Sequence, residues 1–165
     1  LLIAGGGTPY GDMSAALRAQ VAELGLQKRV HFLGRVPPAG LKVPMSAANV
    51  FVLATSYEGW ANVFLEAMAC GLPVVTTRVG GNAEVVTSPS VGTLVEPDDR
   101  AALTAALHEA LQRHWDGQRI GDYARANSWD QRIPVLLEVL RRVQRRNARQ
   151  SSTGTVQRGI EAPSP

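Results

Sequence analysis

Five short apolar runs, each bounded by glycine, proline or a polar turn, alternate with stretches of helical periodicity between Leu1 and Val95. The runs are Leu1–Ala4, ended by Gly5-Gly6-Gly7; Val30–Leu33, ended by Gly34; Asn49–Ala54; Val74–Thr77, led in by Pro73; and Gly92–Val95. Runs this short and this apolar suit strands buried on both faces. Between them Met13, Leu17, Val21 and Leu24 recur at helical spacing up to Gly25, Asn62–Cys70 stops at Gly71, and a short helix fits Asn82–Val86. Strand and helix in alternation imply an α/β fold, a Rossmann-like parallel sheet with helices on both faces. Ligands of such sheets bind outside the carboxyl ends of the strands, which here are the loops Gly5–Asp12, Gly34–Pro38, Thr55–Asn62 and Arg78–Glu84.

The remainder reads as helical. Asp98 or Asp99 caps a helix that places Leu103, Ala106, Leu107, Ala110 and Leu111 on one face. A second helix covers Ile120–Ala126, and a third runs from Gln131 to about Arg146 with Val135, Leu136, Val139, Leu140 and Val143 apolar. Val36–Met45 is interrupted by prolines, and Pro44 would remove a ladder hydrogen bond, which argues against a helix there. Residues 1–148 form one domain on this reading, and 149–165, rich in Ser, Thr, Gly and Pro, form a disordered tail.

Composition removes several functional classes. With 165 residues, 45% hydrophobic and 19% charged, the chain is globular and of single-domain size. The net charge of +3 is unevenly placed: six arginines and one glutamate from Arg141 onward leave +5 there and −2 in the rest. The folded part therefore has no basic footprint for nucleic acid. One cysteine excludes an internal disulfide framework and a thiolate zinc site, and three scattered histidines argue against a metal centre. No apolar run reaches the roughly 20 residues that cross a bilayer. Leu1–Ala4 lacks the basic leader of a signal peptide and reads as a strand whose upstream partner unit is missing.

The densest stretch is Ser56-Tyr57-Glu58-Gly59-Trp60-Ala61-Asn62-Val63-Phe64-Leu65-Glu66 and its continuation to Val75. Gly59 argues against one helix carrying both glutamates, so Glu58 falls in the loop after the third strand and Glu66 in the helix. The helix start near Ala61–Val63 offers backbone N–H groups to an anion. Carboxylates repel phosphate but accept from vicinal hydroxyls. Backbone donors for phosphates beside carboxylates for sugar hydroxyls describe a nucleotide-sugar site.

Glu58-x7-Glu66, then Ala67-Met68-Ala69-Cys70-Gly71-x-Pro73-Val74-Val75 and Gly80-Gly81-x-x-Glu84-Val85-Val86, resembles the signature of family 4 retaining glycosyltransferases of the GT-B fold. The likeness extends through Leu2-Ile3-x-Gly5-x-Gly7, Phe32-Leu33-Gly34-Arg35-Val36-Pro37, Gly92-x-Leu94-Val95 and Ser128-Trp129, about residues 1 to 145 in all. It implies the C-terminal, donor-binding half of such an enzyme. By that resemblance Glu66 meets the ribose hydroxyls, and Glu58, the candidate catalytic residue, lies at the donor sugar. Gly59, Trp60, Ala61, Asn62 and Val63 supply the loop and helix start that meet sugar and diphosphate. Arg35 and Val36 face the nucleobase, Gly5 and Gly7 line the cleft, and Glu84 joins the substrate-binding set, with a plain helix-start role as its alternative. Trp60-Ala61-Asn62 departs from the small or Phe-Gly residues of many relatives.

The resemblance also implies an Arg and a Lys on a strand–helix unit before Leu1, which neutralise the leaving diphosphate, and an N-terminal domain that binds the acceptor. Without them this chain alone is expected to bind weakly and turn over little. The expected activity is hexosyl transfer from a UDP-, GDP- or ADP-sugar, with no metal and no other cofactor, to an acceptor glycan or lipid-linked saccharide in glycan or polysaccharide biosynthesis. A non-catalytic nucleotide-sugar binding module and a GT-B-type sugar-nucleotide epimerase are the alternatives. Gly5-x-Gly7-x-x-x-Gly11 lacks the dinucleotide spacing, which ranks an oxidoreductase lower. Cys70 reads as an inert packed residue, and Trp115 and Trp129 as packing anchors. The arginines from Arg141 to Arg149 suit either a solvated helix end or peripheral contact with an anionic membrane, and the expected location is cytoplasmic, at the inner face of the membrane.

Overall fold

A computed structural model of the chain describes residues 1–7 and 11–153, with 148–153 as backbone only. The elements are β1 (Leu2–Ala4), α1 (Ser14–Glu23), β2 (His31–Gly34), a 3-10 turn (Pro38–Gly40), α2 (Lys42–Ser46), β3 (Phe51–Leu53) and α3 (Val63–Ala69), followed by β4 (Val74–Thr77), α4 (Asn82–Val85), β5 (Gly92–Val95), α5 (Arg100–Gln112), α6 (Gly117–Ala126) and α7 (Trp129–Thr153). They fall into two units, Leu1–Ala124 and Arg125–Pro165.

Among the described residues β1–β5 pair in parallel, but in two sheets. β1 pairs with β2, Leu2 opposite His31 and Ile3 opposite Phe32. The second sheet has the order β3-β4-β5, with Phe51 opposite Val74 and Val74 opposite Gly92. β4 is its centre, and all four of its residues are buried. Alternation along β4 divides the core in two, because successive side chains leave opposite faces of a strand. Val74 joins Phe64, Met68, Val85 and Ile120, so α3, α4 and α6 cover that face. Val75 joins Val95, Ala106 and Ala110, so α5 covers the other. The expected layering therefore holds around β4.

The threonines that end β4 solve the problem of burying hydroxyls in a central strand. Thr76 Oγ1 donates to Leu53 O at 2.7 Å and Thr77 Oγ1 donates to Thr55 O at 2.6 Å, both across to the β3 side. Each bond replaces one that water would have made. Gly71 ends the α3 segment at φ +81°, a conformation that side chains avoid.

Four expectations change in detail. Pro44 lies inside α2 after all, at its third residue, where its missing N–H lacks an intrahelical partner in any case. The apolar spacing of α1 does not produce a buried stripe: no α1 residue is buried, Leu17 is 37% exposed, and the Arg18 guanidinium lies 4.3 Å from the Phe32 ring centre. A two-stranded sheet offers too little surface to cover it. α7 begins at Trp129 and continues to Thr153, so 149–153 prolong the helix where a tail was expected; the rest of that tail lies outside the described residues. Trp115 is the expected anchor, its indole N–H donating to Ala110 O at 2.8 Å, whereas Trp129 is exposed. Cys70 packs against the α3 core as a free thiol.

Candidate functional site

The loop between β3 and α3 is held at two points, by the last residue of β4 and by the turn that follows it. At its start, Thr55 O accepts from the Thr77 hydroxyl. Further along, Gly59 O accepts from the Gly81 N–H at 2.9 Å. Between these points Glu58 is half-buried in the loop, as expected from Gly59, and Trp60 is 46% exposed. Ala61 turns inward and joins the core, which roots the loop before the helix begins.

Asn62 precedes α3 as its N-cap residue and makes no side-chain capping hydrogen bond. The amides of Phe64 and Glu66 donate to Ala61 O and Asn62 O, each at 3.2 Å. Val63, first in the helix, is packed against the core, while Glu66 in the same turn is exposed. One short helical turn thus sends Val63 and Phe64 inward and Asn62 and Glu66 outward. Glu58 and Glu66 are both placed on this loop–helix unit, on either side of Asn62, at the carboxyl end of β3.

The second group of candidates sits on the other sheet. Gly5 N–H donates to Gly34 O at 2.8 Å, and Arg35 donates from its guanidinium to Gly7 O at 3.3 Å. The glycine loop after β1 and the loop after β2 are therefore tied together, with Arg35 exposed and Val36 half-buried. Beside them Asp12 accepts from the Ser14 N–H at 2.8 Å, and the Ser14 hydroxyl and amide together hold its carboxyl below the usual carboxylate range. Glu84 is exposed in the first turn of α4, three residues beyond Gly81.

Residues that sequence reasoning did not single out hold this arrangement together. Asn82 is fully buried, and its side-chain amide donates to Thr76 Oγ1 at 3.2 Å and Thr77 O at 2.9 Å. Its Oδ1 has no partner among the described residues. A cavity of about 310 Å³ also opens at the carboxyl ends of β3, β4 and β5, lined by Thr55, Ser56, Thr77, Asp98, Arg100 and Leu103. Nothing local in the sequence distinguishes Asn82 from a surface asparagine; its role depends on the threonines six and five positions earlier.

The family model for glycosyl transferases group 1 matches residues 1–127. The chain is 34% identical over 148 residues to a D-inositol 3-phosphate glycosyltransferase of Corynebacterium urealyticum, covering 86% of this chain and 34% of that protein. It superposes on sucrose-phosphate synthase of Thermosynechococcus elongatus with a TM-score of 0.72 and 32% identity, covering 87% of this chain and 38% of the other. Anabaena HepE in complex with UDP and glucose matches with a TM-score of 0.51 and 26% identity, over 76% of this chain and 39% of HepE. The chain spans about a third of the length of the relatives it matches. The expected fold, a Rossmann-like half of a GT-B glycosyltransferase, is the fold observed.

Proposed function

This chain belongs to the glycosyl transferases group 1 family, and from that premise we propose that it is the donor-binding part of a nucleotide-sugar-dependent hexosyltransferase acting with retention at the anomeric carbon. The observation that carries the reading is the unit Glu58–Glu66: two carboxylates flanking a helix start with no side-chain cap, on a loop fastened at two points. The UDP and glucose bound by HepE are chemically what such a unit would hold.

In this reading Glu66, exposed on α3, accepts from the ribose hydroxyls, and Glu58 accepts from hydroxyls of the donor sugar. The amides of Asn62 and Val63 meet the diphosphate, where helix-start N–H groups favour negative charge. Arg35, held over Gly7, bounds the nucleobase side. Glu84 counts among the substrate-binding residues in the same reading. As the diphosphate leaves, preorganised donors stabilise the charge that develops on its oxygens without having to reorient. The donor is a UDP-, GDP- or ADP-sugar, and no cofactor is assigned.

Cations on a preceding strand–helix unit and an acceptor-binding domain complete the enzyme in the same proposal, with a glycan or lipid-linked saccharide as acceptor. No helix among the described residues is long and apolar enough to cross a membrane. Arg141, Arg142, Arg145 and Arg146 are exposed on α7, which suits peripheral contact with the anionic cytoplasmic leaflet.

The test is a panel of nucleotide sugars offered to the full-length protein with mixed glycan and lipid acceptors. Stoichiometric release of nucleoside diphosphate with a new α- or β-linkage matching the donor's anomeric configuration is expected. Sugar interconversion without transfer would overturn the reading in favour of an epimerase, and binding without turnover in favour of a non-catalytic module.

A further inference from the structure

Gly80 and Gly81 lie outside the set of residues assigned above, yet they are the surface on which the Glu58–Trp60 loop rests. Gly80 has φ +48°, and a Cβ there would overlap the carbonyl oxygen of Glu58. A Cβ on Gly81 would come within 2.8 Å of Gly59 O and 3.0 Å of Trp60 Cε3. Backbone packed on backbone at that distance tolerates no side chain. The constraint is one-sided: a Cβ built on Gly59, in the loop itself, meets nothing within 4 Å. The loop is shaped to the turn.

The turn in turn is anchored. Asn82 follows it, fully buried, and is bonded to Thr76 and Thr77, whose own hydroxyls reach Leu53 O and Thr55 O. The result is a closed circuit of hydrogen bonds from the end of β3, through β4 and Asn82, to Gly81 and back to Gly59 O. Because every link is backbone or a buried side chain, displacement of the turn must displace the loop.

We propose that the Gly80–Gly81 turn is a positioning device that sets the Glu58–Trp60 loop, and through it the grip on the sugar part of the donor but not on the nucleotide. The sugar-specific clause rests on the donor-binding reading above, since Glu58 and Trp60 are assigned to the sugar and Glu66, rooted in α3, to the ribose. The seat itself does not rest on that reading. Trp60 adds a steric element: its ring edge lies against Gly81 with nearly half of the side chain still exposed, so it can shape the space beside the sugar only while Gly81 lacks a side chain.

Two measurements on the full-length protein test this. In the first, amide hydrogen exchange is compared between wild type and Gly81→Ala. The residue 81 amide, the donor to Gly59 O, should exchange at least tenfold faster relative to its intrinsic rate, with β4 and α5 unchanged. An unchanged rate at residue 81, or a uniform loss of protection throughout, overturns the proposal. In the second, a nucleoside diphosphate and its sugar conjugate are titrated into both proteins. The ratio of the two dissociation constants should shift about tenfold against the sugar conjugate, and an equal loss for both ligands overturns the positioning role. Should wild type bind neither ligand, the donor-binding reading falls while the exchange result still decides the seat. Should Gly81→Ala not fold, wild type carries the test: the Gly81 amide, which donates to Gly59 O, should be as protected as those of Asn82–Val86, and exchange at the open-chain rate overturns the seat.

Discussion

Tyr123 donates its hydroxyl hydrogen to the carbonyl oxygen of Val85 at 2.7 Å, and so joins α6 to the last residue of α4. The same hydroxyl accepts from Thr87 Oγ1 at 3.2 Å. An element 38 residues downstream thereby fixes the end of the short helix that begins beside the Gly80–Gly81 turn.

Tyr123→Phe keeps the ring and removes that bond, leaving the Val85 carbonyl to find another partner. A loss of about 1 kcal/mol in unfolding free energy is expected, read as a lower denaturant midpoint with unchanged slope. No change in midpoint would mean that Val85 O is satisfied without the tyrosine.

Asn82 is the more sensitive position. Asn82→Ala removes two donors from buried acceptors and should cost about 2–3 kcal/mol. Asn82→Asp is nearly isosteric but loses the same donors and adds a carboxylate at a fully buried site, so it should be the worse of the two at neutral pH. Thermal unfolding of the pair decides it; an aspartate variant as stable as the alanine one would show that water reaches the site.

The two glutamates should separate by ligand. Glu66→Ala should weaken binding of a nucleoside diphosphate and of its sugar conjugate alike, by roughly tenfold or more for a charge-assisted bond. Glu58→Ala should weaken the sugar conjugate selectively. Calorimetric titration of both ligands into both variants measures this, and identical losses in the two variants would contradict the assignment.

Acid should loosen the start of α1 through Asp12. Its carboxyl is held below the usual range by the Ser14 hydroxyl and amide, so the carboxylate form is the one that folding favours. The stabilisation is therefore present above the ordinary carboxylate range and lost as pH falls through the lowered folded value. An NMR titration should place the Asp12 midpoint below that of an unstructured aspartate, with the Ser14 amide shifting at the same pH. A midpoint at or above the ordinary value would remove the interaction.

Much of this arrangement was legible without coordinates. Val74–Thr77 and Gly92–Val95 are strands with the expected bounds, because short apolar runs between breakers have few other uses. Asp99 caps α5 by accepting from the Ala102 N–H at 2.8 Å, as one of the two aspartates was expected to do. The placement of Glu58 in a loop and Glu66 in a helix followed from Gly59 alone. The division of the strands into two sheets was not legible, because adjacency of parallel strands joined by helices is set by how the helices pack and not by any local signal. Nor was the exposure of α1, since its Met13–Leu24 spacing is the same whether or not a surface is present to receive it.

The sequence by itself determined the alternation of strand and helix, the loops at which chemistry is to be sought, and the two carboxylates that bracket a helix start. Each depends on residues near one another in the chain, where spacing and breakers act directly. Only the tertiary structure decided that Gly80 and Gly81 carry the Glu58–Trp60 loop, that Thr76, Thr77 and Asn82 form the buried circuit beneath it, and that Tyr123 reaches Val85. The contacts of Thr76, Thr77, Gly81 and Tyr123 join segments roughly 20 to 40 residues apart through backbone carbonyls that every residue possesses and no sequence pattern marks, and those of Asn82, six and five residues back, depend on the threonines so placed.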